Sequence, residues 1–375
     1  MAGWRYLAQR LDGTGDTGPL IDVDLPLNDV VFTDRLSGPM ELTGTIDPAF
    51  TRLKDSSGQP LLTEWGTAIW AEEDGVIVGG GILETPSFLG PKLSITCTGY
   101  AGYPYDMPFL GSYAGVEVDP LDVFRTIWAH IQAQPGGNLG LNVSTVTTPK
   151  RIGTVLEQVE FDTQSGPVSF EAGPIKLNWW QTHDLGGEID KLAKETPFEY
   201  RERHQWEGDT IKHYLDVGYP RLGRRIDKGR FVIGENIHVI PKVDRPGDIY
   251  ASEILALGAG EGRTMLMATR RRATGRLRRV AVVEDKSARS LRAVGSLAAT
   301  EEAWRKNVDT ISELVLVDHP NAPMGSVKPG DEIYVEGELD WLEIAGWMRV
   351  LSTSLRPASG NAMTLAVTPA DRISQ

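Results

Sequence analysis

The chain has 375 residues, 41% hydrophobic and 24% charged, with 41 glycines, 23 prolines and a formal net charge of −13. This is the length and composition of a folded protein with several cores, two or three domains and many turns, and the charge disfavours broad binding to nucleic-acid phosphates. Cys97 is the only cysteine, the first residues have no apolar h-region, and no later run approaches the ~18 apolar residues of a membrane span; a disulfide-built secreted scaffold is excluded, and folding in a reducing cytoplasm is expected.

From Gly18 to about Tyr100 the chain reads as strands joined by turns. Apolar and polar residues alternate in Leu20–Leu25, Trp65–Glu72 and Lys92–Cys97, the period that buries one face of a strand. Ser37-Gly38-Pro39, Asp47-Pro48, Ser57-Gly58 and Asp74-Gly75 punctuate them, and Asp74-Gly75 suits a tight hairpin turn. A small barrel or sandwich is expected there. A helix follows, with Asp119 as N-cap, Pro120 at the first helical position and Phe124, Ile127, Trp128 and Ile131 as its apolar stripe, stopped by Pro135-Gly136-Gly137. A second helix is expected from Asn178 or Thr182, carrying Leu185, Ile189 and Leu192. Strands resume at Phe198–Trp206 and Thr210–Val217 as a hairpin turning at Glu207-Gly208-Asp209, then at Phe231–Pro241. Ile254 to Glu284 reads as two long strands with a turn near Thr274-Gly275, and a third helix after Ser287 carries Leu291, Val294, Leu297 and Ala298, with Trp304 near its end. The last part is β again, at Ser312–Val317, Asp331–Gly337, Trp347–Leu355 and Met363–Val367. The fold class expected from these elements is β-rich α+β, in several domains.

Motifs of chemistry are sparse. No HExxH, Walker A, GxSxG or cysteine pair occurs. Gly79-Gly80-Gly81 and the Gly258–Gly262 string lack the rest of a phosphate-loop signature, so tight turns or strand bulges are expected. His204 and His213 face each other across the expected hairpin, with no third metal ligand in view. Glu157 with Glu160, and Glu72, Glu73 and Asp74, are neighbouring carboxylates of the kind a glycosidase pairs; among 51 acidic residues such neighbours also arise by chance on solvated loops. Catalytic residues, metals and cofactors are therefore not expected.

Two clusters remain. Arg263, Arg270, Arg271, Arg272, Arg276, Arg278 and Arg279 fall in one short strand-turn-strand segment; without these seven of the 38 basic residues, the chain would stand at −20 against its 51 acids. Such a segment suits an acidic surface of a neighbouring subunit, DNA phosphates, or a solvated edge that repels strand addition. Trp179-Trp180 sets two indoles side by side, which on a regular element cannot share one core. Subunit contact and packing between two layers are both open for them.

Longer strings carry a resemblance. GWRYLAQRLDG (residues 3–13), LSGPMELTGTIDP (36–48), LLTEWGTAIWAEEDGVIVGGGIL (61–83), DPLDVFRTIWAHIQAQPGGNLGL (119–141), VEFDTQSGPVSFEAGPIKLNWW (159–180) and LGAGEGR (257–263) resemble minor tail proteins of long-tailed phages of actinobacteria. VKPGDEIYVEG (327–337) and GWMRVLSTSLRPASGNAMTLAV (346–367) resemble the late barrel hairpins of the tail hub family. The resemblance implies a non-enzymatic trimeric baseplate hub at the virion's tail tip, assembled in the host cytoplasm. In that family two hub-type β-barrels per subunit form a pseudo-sixfold ring that adapts the tail tube to the tip. The implied division is a first barrel at 1–110, an α/β middle region at 111–250 and a second barrel with one helix at 251–375. The implied partners are itself as a homotrimer, the distal tail protein, the tape measure protein and other minor tail proteins; genomic DNA passes through without specific binding, and the host envelope is met indirectly. An acidic lumen would keep DNA from adhering, and Arg270, Arg271, Arg272, Arg276, Arg278, Arg279, Trp179 and Trp180 would then face subunits. The last strand falls close to Gln375, so no fused hydrolase is expected. The alternatives are a receptor- or carbohydrate-binding tip protein using exposed tryptophans, a sixfold distal-tail adaptor, and a cell-wall hydrolase using a carboxylate pair.

Overall fold

The computed structural model describes residues 3–15, 18–155, 157–163, 166–196, 198–244, 247, 250–260, 262, 265–285, 288, 290–305, 310–323, 325–339, 342–359 and 362–370. The first strand-rich block comprises β1 (Trp4–Arg10), β2 (Leu20–Asp22), β3 (Asn28–Arg35), β4 (Glu41–Ile46), β5 (Thr67–Glu73), β6 (Val76–Leu83), β7 (Ser87–Leu89) and β8 (Lys92–Thr98). The middle holds β9 (Ser112–Gly115), α1 (Pro120–Gln132), β10 (Leu141–Val143), β11 (Glu157–Thr163), β12 (Gly166–Ala172), β13 (Ile175–Asn178), α2 (Leu185–Glu195), β14 (Glu199–Glu207), β15 (Thr210–Gly218), β16 (Arg225–Val232) and β17 (Lys242–Asp244). Then come β18 (Glu253–Leu257), β19 (Met267–Arg271), β20 (Val280–Glu284), α3 (Leu291–Trp304), β21 (Thr310–Val317), β22 (Glu332–Leu339), β23 (Leu342–Leu355) and β24 (Ala362–Pro369). A β-rich fold with few helices is thus observed.

Several elements form for the reasons their sequences give. At Asp74-Gly75 both residues have positive φ, 47° and 86°, the backbone of a two-residue hairpin turn, and β5 pairs antiparallel with β6 across it. The Asp119 carboxylate accepts from the Leu121 N–H at the start of α1, and Pro120, Phe124, Ile127, Trp128 and Ile131 are buried. β14 and β15 form the expected hairpin, with His204 directly opposite His213. Within β6 Gly80 is close to backbone: a Cβ there would lie 2.2 Å from the Ile69 carbonyl oxygen. Gly258 likewise admits α3, since a Cβ would meet Val294 Cγ2 at 2.5 Å. The glycine strings thus serve close packing.

Other expectations are corrected. The first strand begins at Trp4, not after Gly18; Leu7, Ala8 and Gln9 are buried in succession, so no alternation marks it. β5 is buried on both faces, Ile69 and Ala71 in one core and Ala68 and Trp70 in another. α2 starts later than Asn178 or Thr182, capped by Asp184 through the Gly187 N–H. The Phe231–Pro241 strand stops at Val232, where buried Asn236 turns the chain by accepting from the Val232 N–H and donating to the Arg230 carbonyl. Ile254–Glu284 is not two long strands: β18 is central, β19 lies antiparallel on one side and β20 parallel on the other. Of the third helix's expected stripe, Val294 and Ala298 are buried, whereas Leu291 is exposed; Ser287 lies outside the described residues, as does the side chain of Trp304.

Two closed barrels are not what the described residues form. One fourteen-stranded sheet runs β17-β21-β24-β23-β3-β4-β8-β6-β5-β1-β2, with β7, β16 and β22 as side branches, and no sheet closes on itself. The junction is β23 against β3, Ser352–Leu355 opposite Arg35–Phe32. Strands from both ends of the chain share one hydrophobic core, from Ala8, Leu42 and Ile95 to Ile333, Val350 and Leu365. A second core gathers α1, α2 and the β14–β15 hairpin against Leu7, Trp70 and Ile82. A third, small one lies between α3 and the β19-β18-β20 sheet. Among the described residues no helix is long and apolar enough to cross a membrane.

Candidate functional site

Of the titratable groups singled out for chemistry, His204, His213 and Glu72 are held by structural bonds. His204 Nδ1 lies 2.9 Å from His213 Nδ1, His204 Nε2 3.3 Å from Glu202 Oε2, and His213 Nε2 3.4 Å from the Tyr100 hydroxyl. One proton arrangement satisfies every atom with both imidazoles neutral. Tyr100 donates to His213, His213 to His204, and His204 to the Glu202 carboxylate. Burial lowers His213 from 6.5 to about 2, and the charge of Lys212 adds to this. Glu202 also accepts from the Met40 and Tyr100 backbone N–H groups at 3.1 and 2.6 Å. Trp70 packs against both imidazoles. The cluster pins the β14–β15 hairpin to the first block. Among the described residues no group of three or more His, Cys, Asp or Glu is placed to hold a metal. Glu72 accepts from Arg5 Nε at 2.9 Å and from Trp206 Nε1 at 3.0 Å, so it too is held in place. Glu157 and Glu160 lie on β11, with side chains outside the described set.

The arginine cluster is built on the small sheet, and its segment is a crossover rather than a hairpin. After β19 the chain passes the start of β18 and enters β20 on the far side, tied there by the Arg272 N–H to Ser252 O (2.9 Å) and the Ser252 N–H to Arg279 O (3.0 Å). Glu253, first in β18, is held by Arg278 Nε and Nη2 at 2.7 and 3.0 Å, with Arg271 at 3.9 Å. The Arg278 hydrogen bond and charge hold the Glu253 carboxyl below the usual range. Arg270 pairs with Glu302 of α3 at 2.8 Å, and Arg276 lies over the Tyr250 ring at 5.1 Å. Arg272, Arg276 and Arg279 form no ion pair among the described residues. Arg263 lies outside them.

That sheet has a face the sequence did not advertise. Ile254 and Ala256 turn into the α3 core, so Leu255 and Leu257 point the other way. Leu255 stands between Thr269 and Val282, and Leu257 between Met267 and Glu284. Met267, Val280 and Val282 are exposed on this outer face, and Leu277 in the crossover is 88% exposed. Val280-Ala281-Val282-Val283 is apolar throughout, and only the placement of α3 on one face shows that the other is bare.

Trp179 and Trp180 lie elsewhere, in the turn after β13, on a different sheet from the arginines. They are 61% and 51% exposed and meet edge to face at 5.4 Å. Core packing is therefore not their role. The Trp179 N–H donates to the Gly111 carbonyl at 2.9 Å, next to exposed Leu110.

A cleft of about 400 Å³ opens where β3, the β5–β6 turn, β14 and the 325–329 loop meet. Phe32, Val78, Leu355 and Met363 line it together with Asp34, Glu73 and Asp74. Asp34 Oδ1 is shielded from solvent and has no hydrogen-bond partner among the described residues. Burial raises its carboxyl to about 7, against the pull of Arg201 and Lys328 and with the push of Glu202.

No family model and no curated protein sequence matches the chain. Solved structures do share its fold. A 43 kDa tail protein of prophage MuSo2 from Shewanella oneidensis aligns with TM-score 0.57 at 12% identity, over 99% of this chain and 100% of the other. A tail protein from Neisseria meningitidis aligns with TM-score 0.55 at 13% identity, over 98% and 97%. The prophage tail protein gp18 from Listeria monocytogenes aligns with TM-score 0.56 at 9% identity, over 99% and 95%. The fold is that of phage tail proteins.

Proposed function

We propose that this chain is a structural subunit of a phage tail, a baseplate hub that forms a ring between tail tube and tip around the DNA channel. The observation that carries the reading is the fold shared, end to end, with prophage tail proteins. In this reading the chain is a homotrimer that meets the distal tail protein, the tape measure protein and other minor tail proteins of an actinobacterial siphovirus. Regions 1–110 and 251–375 are the ring-forming parts, and 111–250 is the outer decoration. The arginine module faces a neighbouring subunit: its outer face is apolar and cationic, while the rest of the chain is strongly acidic. Electron microscopy of the intact tail tip tests the reading. Three copies around the axis support it; six make the chain a distal-tail adaptor, and a peripheral position removes it from the ring.

A second reading draws on the exposed Trp179–Trp180 corner, a surface suited to sugar rings, and makes the chain a receptor-binding tip protein. Binding of host cell-wall glycan that is abolished by Trp179→Ala would favour it.

A further inference from the structure

We propose that the Arg272–Arg279 crossover of one copy of this chain seats in the Asp34 cleft of the next copy, a contact repeated head to tail around the ring. The inference rests on the ring reading above and names the partner of the arginine module. The crossover offers a leucine flanked by guanidinium groups: Leu277 is the most exposed of the large apolar side chains, and Arg272, Arg276 and Arg279 form no ion pair among the described residues. Burying such a leucine removes apolar surface from water, and pairing its flanking cations gives the contact a register.

The cleft offers the complement. Its floor is apolar, from Phe32, Val78, Leu355 and Met363, and its volume of about 400 Å³ falls in the ~300–1,000 Å³ range of sites that enclose a side-chain-sized guest. Its acids are under-compensated. Asp34 keeps a shielded oxygen without a partner among the described residues, and Glu73 is pushed above the usual carboxylate range by burial, Asp74 and Asp318. An incoming guanidinium pairs with Glu73 at the cleft's mouth and acts on the shielded Asp34 through space. The cleft's own cations do not meet this need: Arg201 donates to the Pro329 carbonyl at 2.7 Å, Arg203 to Asp216 at 2.8 Å, and Lys328 forms no ion pair with Asp34. The crossover does not line its own chain's cleft. Knob and cleft are different patches, so the contact is heterologous, the kind that closes into a ring when the rotation allows.

Cysteine cross-linking of the full chain tests this, because Cys97 is buried and silent. Leu277→Cys and Val76→Cys, at an exposed residue on the cleft's lip, are made separately and mixed under mild oxidation. The expected result is a covalent dimer in the mixture and none in either variant alone, with the double variant giving products up to three copies. Leu277→Cys mixed with Leu110→Cys, exposed beside the Trp179 turn and away from the cleft, should give none. If the chain assembles by sedimentation yet the first mixture does not cross-link, the contact is wrong and the ring stands. If the chain stays monomeric at every concentration, both fall.

Discussion

Asp34 and His213 are buried titratable groups that couple folding to pH with opposite signs. Asp34 is raised from 3.8 to about 7, so between those values the folded chain keeps a proton that the unfolded chain releases. Stability from this group therefore falls as pH rises from about 4 to 7 and is flat above. Asp34→Asn should remove that slope, with a gain over wild type at pH 8 on the order of 2 kcal/mol, less than the full shift implies because the residue is only half-buried; urea melts of both proteins at pH 5 and 8 check it. His213 is lowered from 6.5 to about 2, so its contribution is present above 6.5 and lost as pH falls through the acid range. His213→Asn should flatten the acid limb of the same curve. The pairing of His204 with His213 was legible in the hairpin pattern. Glu202 as its third member was not, because Glu202 meets Met40 and Tyr100 through contacts more than a hundred residues apart in sequence.

At the scale of elements, β6 and the small sheet show what local pattern conveys. The Gly79–Gly81 string reads as a tight turn or strand bulge; the β5–β6 register does shift beside Gly79, and Gly80, at φ 147°, lies against β5. Gly80→Ala should destabilise by more than about 1 kcal/mol, measured as a lowered unfolding midpoint. The arginine segment was visible as charge, but its path was not, because the order β19-β18-β20 depends on which side of β18 each strand joins. Exposed Leu277 makes no core contact, so Leu277→Asp should shift folding by no more than about 0.5 kcal/mol. It should still weaken self-association at least tenfold in sedimentation velocity; an unchanged association constant would separate the crossover from assembly.

At the scale of the molecule, the β23–β3 junction makes the two ends of the chain one sheet over one core. Leu365, fully buried near the C-terminal end, should on truncation to Ala cost about 2–5 kcal/mol. Because Trp4 packs on the same core, Trp4→Ala should lower the same single far-ultraviolet transition that Leu365→Ala lowers. Two separated transitions would show that the ends unfold independently. The continuous sheet leaves edges at β2 and β17 rather than closing either block, so any ring closure belongs to the assembly and not to the single chain.

Turn residues, caps and alternation are encoded within a few positions, so the sequence by itself determined the β-rich class, the Asp74-Gly75 and β14–β15 hairpins, α1 and the place of the charge cluster. Strand order, the doubly buried β5, the bare outer face of the small sheet and the Asp34 cleft arise from residues far apart in the chain. Which face a helix covers and which strand closes a ladder are settled by packing over those distances, and only the tertiary structure decided them.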